Sequence, residues 1–358
     1  MNRAAGNNQR LVLGVSCDKV EWDRFVAANP AGTFFHSWAW KTLLESLGME
    51  SIGIVARNSS GNIVAVYPLF LVPTLGGVGK VMVSVPRADL GGPLIGDTRT
   101  DTQSVYQSLV AEVKRRAISH RGVLILNRGV TNADLIRCTG SEGVVDSPTK
   151  GVFRLDLRQS PPSQIWSGVF TKKGNQRKII RQLERLGCFS RLARDSTDFE
   201  EFLKLYVRTI TRAGGTPEPD KFIRRVWSYL NRSNFNILLV ENDAKLAAAI
   251  GFFSYDEQKQ IHTSYAAYST EPGTPRGAYL YANWSIILWA HQNGFTKINL
   301  GSTNADPRHP RHRFKRQFGG VFTPTYQITH PTSLTPLYNL LKSGYRTLGR
   351  GSRFAKLD

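Results

Sequence analysis

Alternation of apolar and polar positions along the first 150 residues predicts a mixture of helices and strands. The predicted order is a helix over 38–47, strands over 51–56, 63–71 and 81–85, a helix over 102–118 and a strand over 123–126. In the second of these helices, apolar residues recur every fourth position, at Val105, Leu109, Val113 and Ala117. That spacing is typical of a helix that packs one face on a sheet.

The rest of the chain repeats this order more clearly. It predicts a strand over 152–157, a helix capped by Ser163, a basic helix over 175–186, a strand over 190–193, helices over 198–213 and 220–230, strands over 236–241, 245–255 and 260–268, a helix over 279–293 and a strand over 297–300. Each half therefore has the pattern of a mixed α/β unit, so we expect two domains, at 1–150 and 151–330. An amphipathic basic tail follows at 331–358.

Composition narrows the class of protein. The chain has 358 residues, which corresponds to about two domains, and 41% of them are apolar, which excludes wholesale disorder. Lys and Arg exceed Asp and Glu by 47 to 27, giving a net charge of +20. Such a charge favours a polyanionic partner: tRNA, a phosphorylated cofactor or an anionic membrane face.

Cysteine content and the N-terminal sequence indicate the compartment. Cys17, Cys138 and Cys188 are far apart and form no CxxC pair, so neither a zinc site nor a disulfide framework is expected. The first residues lack the apolar core of a signal peptide. The longest apolar run, 63–72, is far shorter than the roughly 20 residues that span a bilayer. We expect a cytoplasmic protein, with peripheral contact at the inner membrane face left open.

Two segments are candidates for phosphate or carbonyl binding. The loop over 269–278 holds Gly273, Arg276 and Gly277 and leads into a helix, whose unpaired N–H groups suit an anion or an acyl carbonyl. Such loops are common in α/β proteins, so this motif alone is weak. In the second segment, 308–320, seven of thirteen residues are Arg, Lys or His.

The basic segment 308–320 also contains aromatic residues. Phe314 and Phe318 are spaced i, i+4, which indicates that part of the segment packs and holds Lys315 and Arg316 in place. Fixed cations of this kind bind phosphate or stabilise a developing negative charge. The alternative is a solvated basic loop.

Further basic stretches lie on predicted helices. Lys172, Lys173 and Lys178 accompany Arg177, Arg181 and Arg185, and the three arginines share one helical face. That face is either solvated or a groove for an RNA or other phosphate backbone. The tail has apolar residues at Leu334, Leu337, Tyr338 and Leu341, with basic residues up to Lys356. It either caps its own domain or contacts an anionic membrane.

Familiar catalytic motifs are missing from the sequence. It contains no GxSxG elbow, no HExxH and no Walker loop, and its histidines at 36, 120, 262, 291 and 330 are isolated. Asp89 lies in the turn-rich stretch VPRADLGGP, beside an apolar strand. It is a candidate general base, or simply the partner of Arg87.

A set of motifs in order nevertheless resembles one family. The motifs are FFHSWAWKTLLESLG around Trp38, LGGPLI at 90–95, GNQRKIIRQLERLG at 174–187, FLKLY at 202–206 followed by GTP at 215–217, the helix at 278–294, LGS at 300–302 and FKRQFG at 314–319. Together they cover residues 30 to 325 and resemble the FemABX-like branch of the GNAT acyltransferase superfamily, which includes BioF2-like proteins.

This resemblance implies two tandem GNAT-like domains that face each other, with an acceptor cleft between them and no coiled-coil arm. It implies transfer of an acyl or aminoacyl group from acyl-CoA or aminoacyl-tRNA to an amine, with no metal and no permanently bound cofactor. By the same resemblance, Lys315 neutralises the donor's phosphate or the oxyanion, and Asn283 matches the family's helix asparagine. Tyr265 and Tyr268 correspond to strand aromatics near the cleft.

The remaining site residues follow from these motifs. Arg313 and Arg316 flank Lys315 and are expected to bind the donor together with the 273–277 loop, and a tyrosine, Asp89 or water would accept the proton. The sequence departs from the family at Ser302, where an arginine is common, and at Pro307 and Pro310, where exopolysaccharide-type relatives are glycine-rich. These departures bear on the donor more than on the fold.

Several functions therefore compete. An envelope N-acyltransferase acting on a peptidoglycan precursor, a polysaccharide amino sugar or a small amine accounts for both the charge and the motifs, and its acceptor could be lipid-linked. A non-catalytic RNA-binding protein or a membrane-peripheral basic protein accounts for the charge alone.

Overall fold

A computed structural model describes residues 11–15, 17–74, 79–96, 101–140, 143–170 and 175–340. The chain forms two compact units. Residues up to Thr149 together with those from Thr325 onward form the first unit, and Lys150–Pro324 form the second. The sequence places 325–330 in the second domain, whereas the structure groups them with the first because the last strand pairs there.

The first unit contains most of its strands before residue 150. They are β1 (Val12–Gly14), β2 (Glu50–Arg57), β3 (Ile63–Pro73), β4 (Lys80–Ser84), β5 (Leu94–Ile95), β6 (Gly122–Val130) and β7 (Val144–Val145). Its helices are α1 (Lys19–Ala28), α2 (Trp38–Glu45), α3 (Thr102–Ser119) and α4 (Ala133–Cys138), with a 3₁₀ turn at Phe34–His36. The final strand of the chain, β14 (Val321–Pro331), ends in this unit.

Strand order in the first unit is β1-β2-β3-β4-β6-β14, with β5 paired to β3 and β7 to β14. Neighbours are antiparallel except β4 and β6, which are parallel. α3 buries Val105, Leu109, Val113 and Ala117 against this sheet, as its spacing predicts. Asp101 caps this helix by accepting a hydrogen bond from the Gln103 backbone N–H.

The second unit contains the other elements. Its strands are β8 (Lys150–Asp156), β9 (Phe189–Leu192), β10 (Phe235–Asn242), β11 (Lys245–Tyr255), β12 (Gln260–Tyr268) and β13 (Lys297–Asn304). Its helices are α5 (Pro162–Gln164), which continues into a π-helical turn at Ile165–Val169, α6 (Gln176–Arg185), α7 (Ser196–Arg212), α8 (Asp220–Leu230), α9 (Ala278–Gln292) and α10 (Pro310–Arg316), with a 3₁₀ turn at Asp256–Gln258.

Strand order in this unit is β8-β13-β12-β11-β10-β9, and only β12 and β13 run parallel. The predicted mixed α/β class is confirmed. Each unit has a three-strand antiparallel meander, then a long helix, then a strand parallel to the last strand of the meander. α3 holds this place in the first unit and α9 in the second, so the two units share one topology. α9 is apolar on most of its surface and buries ten residues in the unit's core.

Two local predictions differ from the structure. Ser163 does not cap a helix: Pro161 precedes the first turn, and no side chain caps it. The strand predicted over 297–300 continues to Asn304. The basic segment 308–320 contains the helix α10, in agreement with the expectation that part of it packs. A proline at the first helical position explains this start, because its fixed φ suits the first turn.

The described start of the tail packs on the first unit. Leu334 and Tyr338 contact the apolar cluster that includes Val81, Val83 and Val123. Thr335 donates a hydrogen bond to the Val123 carbonyl oxygen at 2.6 Å. Up to residue 340 the tail therefore packs on the first unit, whereas the sequence places it after the second domain. Leu341 and the basic residues beyond it lie outside the described residues.

Candidate functional site

A split between two parallel strands is the central feature of the second unit. β12 and β13 pair at three positions: Gln260 with Lys297, Ile261 with Ile298 and His262 with Asn299. Both strands then continue, β12 to Tyr268 and β13 to Asn304, and within the described chain the ladder goes no further. Diverging strands present backbone N–H and C=O groups toward a gap. Such an edge can bind an extended ligand that carries amide groups.

Gly301 sets the shape of β13 at the split. Its φ is +76°, in the left-handed region that favours glycine, and Asn299 Oδ1 accepts its N–H at 2.9 Å. A methyl group built at Gly301 would stand 2.5 Å from the Thr263 carbonyl oxygen. The backbone of β13 therefore approaches β12 here more closely than a residue with a Cβ atom would allow.

Lys315 brings a positive charge to the same place. α10 follows β13, and Lys315 Nζ donates a hydrogen bond to the Ser302 carbonyl oxygen at 2.8 Å. The same Nζ lies 3.4 Å from the position of a Cβ at Gly301. The side chain is half-buried. Its charge is thus held at the point where the strands separate, whereas Arg313 and Arg316 are exposed on α10.

Aromatic packing fixes α10, as the i, i+4 spacing of its phenylalanines predicts. The Phe314 ring stacks on Tyr279 of α9 with centroids 5.1 Å apart and an interplanar angle of 18°. Phe318 is fully buried, with its ring edge-on to Phe314 at 5.6 Å and to Phe170 at 6.0 Å. Residues on both sides of Lys315 are therefore anchored in the core, which limits the positions its ammonium group can reach.

Two buried polar side chains lie on β13 beside Gly301. Asn299 is 0% and Thr303 4% exposed. Neither Asn299 Nδ2 nor Thr303 Oγ1 has a hydrogen-bond partner in the described part of the protein. A buried polar atom without a partner costs about 1–3 kcal/mol, so such atoms concentrate where a ligand or water completes them. Sequence reasoning missed both residues.

The loop ahead of α9 brings the predicted phosphate-binding residues to that helix's N-terminus. Gly277 is the N-cap residue, with φ +95° and no side-chain cap, and Gly273 also has a positive φ of +87°. Arg276 is exposed. The first N–H groups of α9 and the positive end of its dipole accordingly face this loop. Because Tyr279 of α9 stacks on Phe314, the helix start lies next to Lys315's helix.

The side chain of Asn283, on α9, is buried rather than exposed to solvent. It is 4% exposed, and its Nδ2 donates a hydrogen bond to the Tyr279 carbonyl oxygen at 2.8 Å. Burial raises the pKa of the Tyr279 hydroxyl, and the nearby Asn283 side chain opposes that shift. This hydrogen bond gives Asn283 a structural role at the start of α9. A direct contact between Asn283 and the donor stays a prediction.

Tyr265 is enclosed by other aromatic rings. It is 7% exposed and packs edge-on against Tyr206 of α7 at 5.6 Å, with Phe235 and Phe253 at 5.8 Å and 6.1 Å. Tyr268, by contrast, lies against Tyr279 of α9 on the other sheet face. This packing explains a buried tyrosine at 265 on structural grounds, and a proton-transfer role for it remains a prediction.

Asp89 belongs to the first unit, in a segment that crosses the end of β4. Its side chain is half-buried. Its carbonyl oxygen packs so closely on Gly129 that a Cβ there would overlap it. Gly92 N–H donates a hydrogen bond to Ser84 Oγ at 3.0 Å. The segment also contains Val85 and Arg87 with φ of +48° and +62°, which is uncommon for residues with a side chain.

The basic helix α6 carries its three arginines at positions spaced by four residues, on one helical face. Arg181 and Arg185 are exposed and Arg177 is half-buried. The Arg181 guanidinium lies 5.6 Å from the Trp166 ring centroid, a cation–π contact that orients it. Lys172 and Lys173 lie outside the described residues. Among the residues that the structure describes, no group of three His, Cys, Asp or Glu side chains is arranged to hold a metal ion.

A family model described as an acetyltransferase (GNAT) domain matches residues 172–316. That stretch contains the strand split, the loop ahead of α9 and Lys315. Residues 172–316 of this protein are therefore similar to a GNAT acetyltransferase domain. The match supports the predicted acyltransferase class over that stretch. A search of curated protein sequences finds no match to the chain.

Solved structures share the fold of this protein over nearly its whole length. A crystal structure of FemX is 13% identical with a TM-score of 0.72, and the match covers 93% of this chain and 100% of FemX. A tandem GNAT protein from the clavulanic acid biosynthesis pathway is 14% identical, with a TM-score of 0.56 and coverage of 90% and 98%. The predicted tandem GNAT-like fold is thus confirmed.

A third structure is the C-terminal domain of a putative lysylphosphatidylglycerol synthetase from Agrobacterium fabrum. It is 15% identical, with a TM-score of 0.56 and coverage of 93% of this chain and 99% of that one. At such identities the likeness establishes the fold alone. None of the helices in the described part of the chain combines the length and apolar character that a membrane crossing requires.

Proposed function

We propose that this protein is an N-acyltransferase that moves an acyl or aminoacyl group from acyl-CoA or aminoacyl-tRNA to an amine in cell-envelope biosynthesis. The observation that carries the proposal is the strand split at His262 and Asn299, with the Lys315 ammonium group held beside it. The fold shared with FemX and with a putative lysylphosphatidylglycerol synthetase supports an envelope role.

Charge development explains why a lysine is useful there. A neutral amine attacks the donor carbonyl, a C–N bond forms and the carbonyl oxygen becomes an oxyanion. The C–S or C–O bond to the carrier then breaks, and the proton released by the amine passes to a base while the carrier leaves. A fixed cation near the oxyanion is more favourable in the transition state than in the ground state, whereas a cation near the carrier's phosphates strengthens donor binding in both states.

Individual roles follow within this proposal. Lys315 stabilises negative charge, with Arg313 and Arg316 as outer cations for the donor. The Gly273–Gly277 loop and the first N–H groups of α9 bind the donor's phosphates. Asp89 is the proposed general base, and Tyr265 the alternative. The carrier is a co-substrate, so no permanently bound cofactor or metal enters this scheme.

Alanine and arginine substitutions at Lys315 test the proposal. The assay supplies acetyl-CoA or an aminoacyl-tRNA with a panel of amines and measures product by mass spectrometry. Lys315→Ala is expected to lower kcat/KM at least about 100-fold, in the range of a lost oxyanion donor, and Lys315→Arg less. Lys245→Ala removes an exposed cation from the same unit and should leave kcat/KM unchanged.

Two results would contradict the proposed function. Full activity in Lys315→Ala at subsaturating donor would remove the lysine from the mechanism. RNA affinity without acyl transfer to any amine of the panel would instead favour a non-catalytic RNA-binding protein, for which the arginine face of α6 is the supporting observation.

A further inference from the structure

The second unit contains a half-open pocket beside the proposed donor loop, with a volume of about 430 Å³. It lies between α6 and the residues just before α9. Four of its residues are apolar and two are polar; they are Ile179, Leu183, Leu186, Pro275, Gln182 and Arg276. Neither the proposed reaction nor the predicted phosphate contacts account for this apolar space.

Close packing joins the pocket to the start of α9. A Cβ at Gly277 would overlap Ile179 Cγ2 and stand 3.7 Å from Leu183 Cδ1. The glycine therefore lets the loop approach α6, and one end of the pocket is the N-cap of α9 itself. Phosphates bound at that helix start would lie at the mouth of the pocket.

The lining chemistry matches a flat aromatic base rather than an acyl chain. Leu183 is buried and Leu186 is 51% exposed, which gives the pocket an apolar floor and an apolar rim. The Gln182 amide both donates and accepts hydrogen bonds, as the edge of adenine requires. The Arg276 guanidinium can stack on a base or bind a phosphate. A hydrocarbon chain would use neither polar group.

We propose that this pocket binds the adenine of the acyl donor. The inference rests on the proposed function, because it requires a donor whose phosphates reach the start of α9. Adenine occurs both in CoA and at the 3′ end of tRNA, so the pocket would serve either carrier. Gln182 would read the base edge, while Ile179 and Leu186 cover its face.

Binding measurements on the full-length protein test this assignment by calorimetry. The probes are ADP, GDP, 4′-phosphopantetheine, CoA and the trinucleotide CCA. Gln182→Ala and Leu186→Ala are each expected to weaken ADP about 3- to 10-fold, the range for one lost hydrogen bond or apolar contact, and to leave 4′-phosphopantetheine unchanged. Val207→Ala truncates an exposed apolar residue on α7 and is the matched control.

The probes separate the two carriers and the two levels of proposal. Parallel losses for CoA would identify CoA as the source of the adenine, and parallel losses for CCA would identify tRNA. Equal ADP affinity in the wild type and both pocket variants would overturn the pocket assignment and leave the acyl transfer reaction standing. Equal affinity of the wild type for ADP and GDP would also overturn it. A wild-type protein that binds neither CoA nor CCA would overturn both proposals.

Discussion

Gly301→Ala tests the strand split directly, because a second glycine supplies a control for backbone strain. Gly301 has φ +76° and Gly294, after α9, has φ +77°. A methyl group at Gly294 meets nothing within 4 Å, whereas at Gly301 it would stand 2.5 Å from the Thr263 carbonyl oxygen. Alanine at either position pays the same conformational cost, and only Gly301→Ala also has a steric contact.

The structure gives a magnitude for each variant. A residue with a side chain in the left-handed region costs about 1–2 kcal/mol, so Gly294→Ala should lower the free energy of unfolding by about that amount. Relieving an overpacked contact typically costs a further 1–3 kcal/mol, so Gly301→Ala should lose about 2–5 kcal/mol. The relief must move β13 from Thr263 or displace Lys315, whose Nζ would lie 3.4 Å from the new methyl group.

Unfolding in urea and steady-state acyl transfer measure the two consequences. Gly294→Ala should retain the wild-type kcat/KM. Gly301→Ala should lose at least about tenfold in kcat/KM at a temperature where it is still folded, because a displacement near 1 Å is costly in a reactive geometry. Equal losses of stability in the two variants would show that Gly301 makes no tight contact with Thr263, and full activity in Gly301→Ala would show that the split and Lys315 do not position the donor.

Three further predictions address stability, donor and stoichiometry. Burial lowers the pKa of His36 to about 4, so between pH 6.5 and 4 the unfolded chain binds a proton that the folded ring does not. Urea unfolding should therefore show the free energy of unfolding falling by about 3 kcal/mol as the pH is lowered over this range. The His36→Gln variant should show a smaller pH dependence. If a tRNA donor binds through Arg177, Arg181 and Arg185, the logarithm of its binding constant should fall with the logarithm of the salt concentration with a slope of about −2. Arg181→Ala should make this slope shallower. CoA binding should depend little on salt through these arginines. Calorimetric titration should give one donor per chain, because Asp89 and Leu90 pack against Gly129 at the corresponding place in the first unit; two donors per chain would contradict this reasoning.

How far the sequence predicts this molecule depends on the range of the interactions. The buried face of α3 and the anchoring of α10 by Phe314 and Phe318 follow from helical spacing, which is local. Gly301 misleads the prediction, since a glycine after a strand usually ends it, yet here β13 continues to Asn304. The contact of Lys315 with the Ser302 carbonyl depends on how α10 folds back on β13. Spacing along the chain does not contain that information.

Comparison of the two units argues that only one split is open. Asn127 and Gly129 occupy β6 as Asn299 and Gly301 occupy β13: each asparagine is 0% exposed in the last parallel pair, and each glycine has a positive φ. In the first unit, Asp89 and its neighbours fill the space next to Gly129, and Tyr67 donates a hydrogen bond to Asn127 Oδ1 at 2.6 Å. In the second unit β12 continues past the same point, with a register shift in its pairing to β11 between Thr263 and Tyr265, and α10 brings a lysine there. In the first unit the chain itself thus fills the space beside the diverging strands. In the second unit the same topology leaves that space and places Lys315 beside it, where the proposed acyl transfer uses its charge.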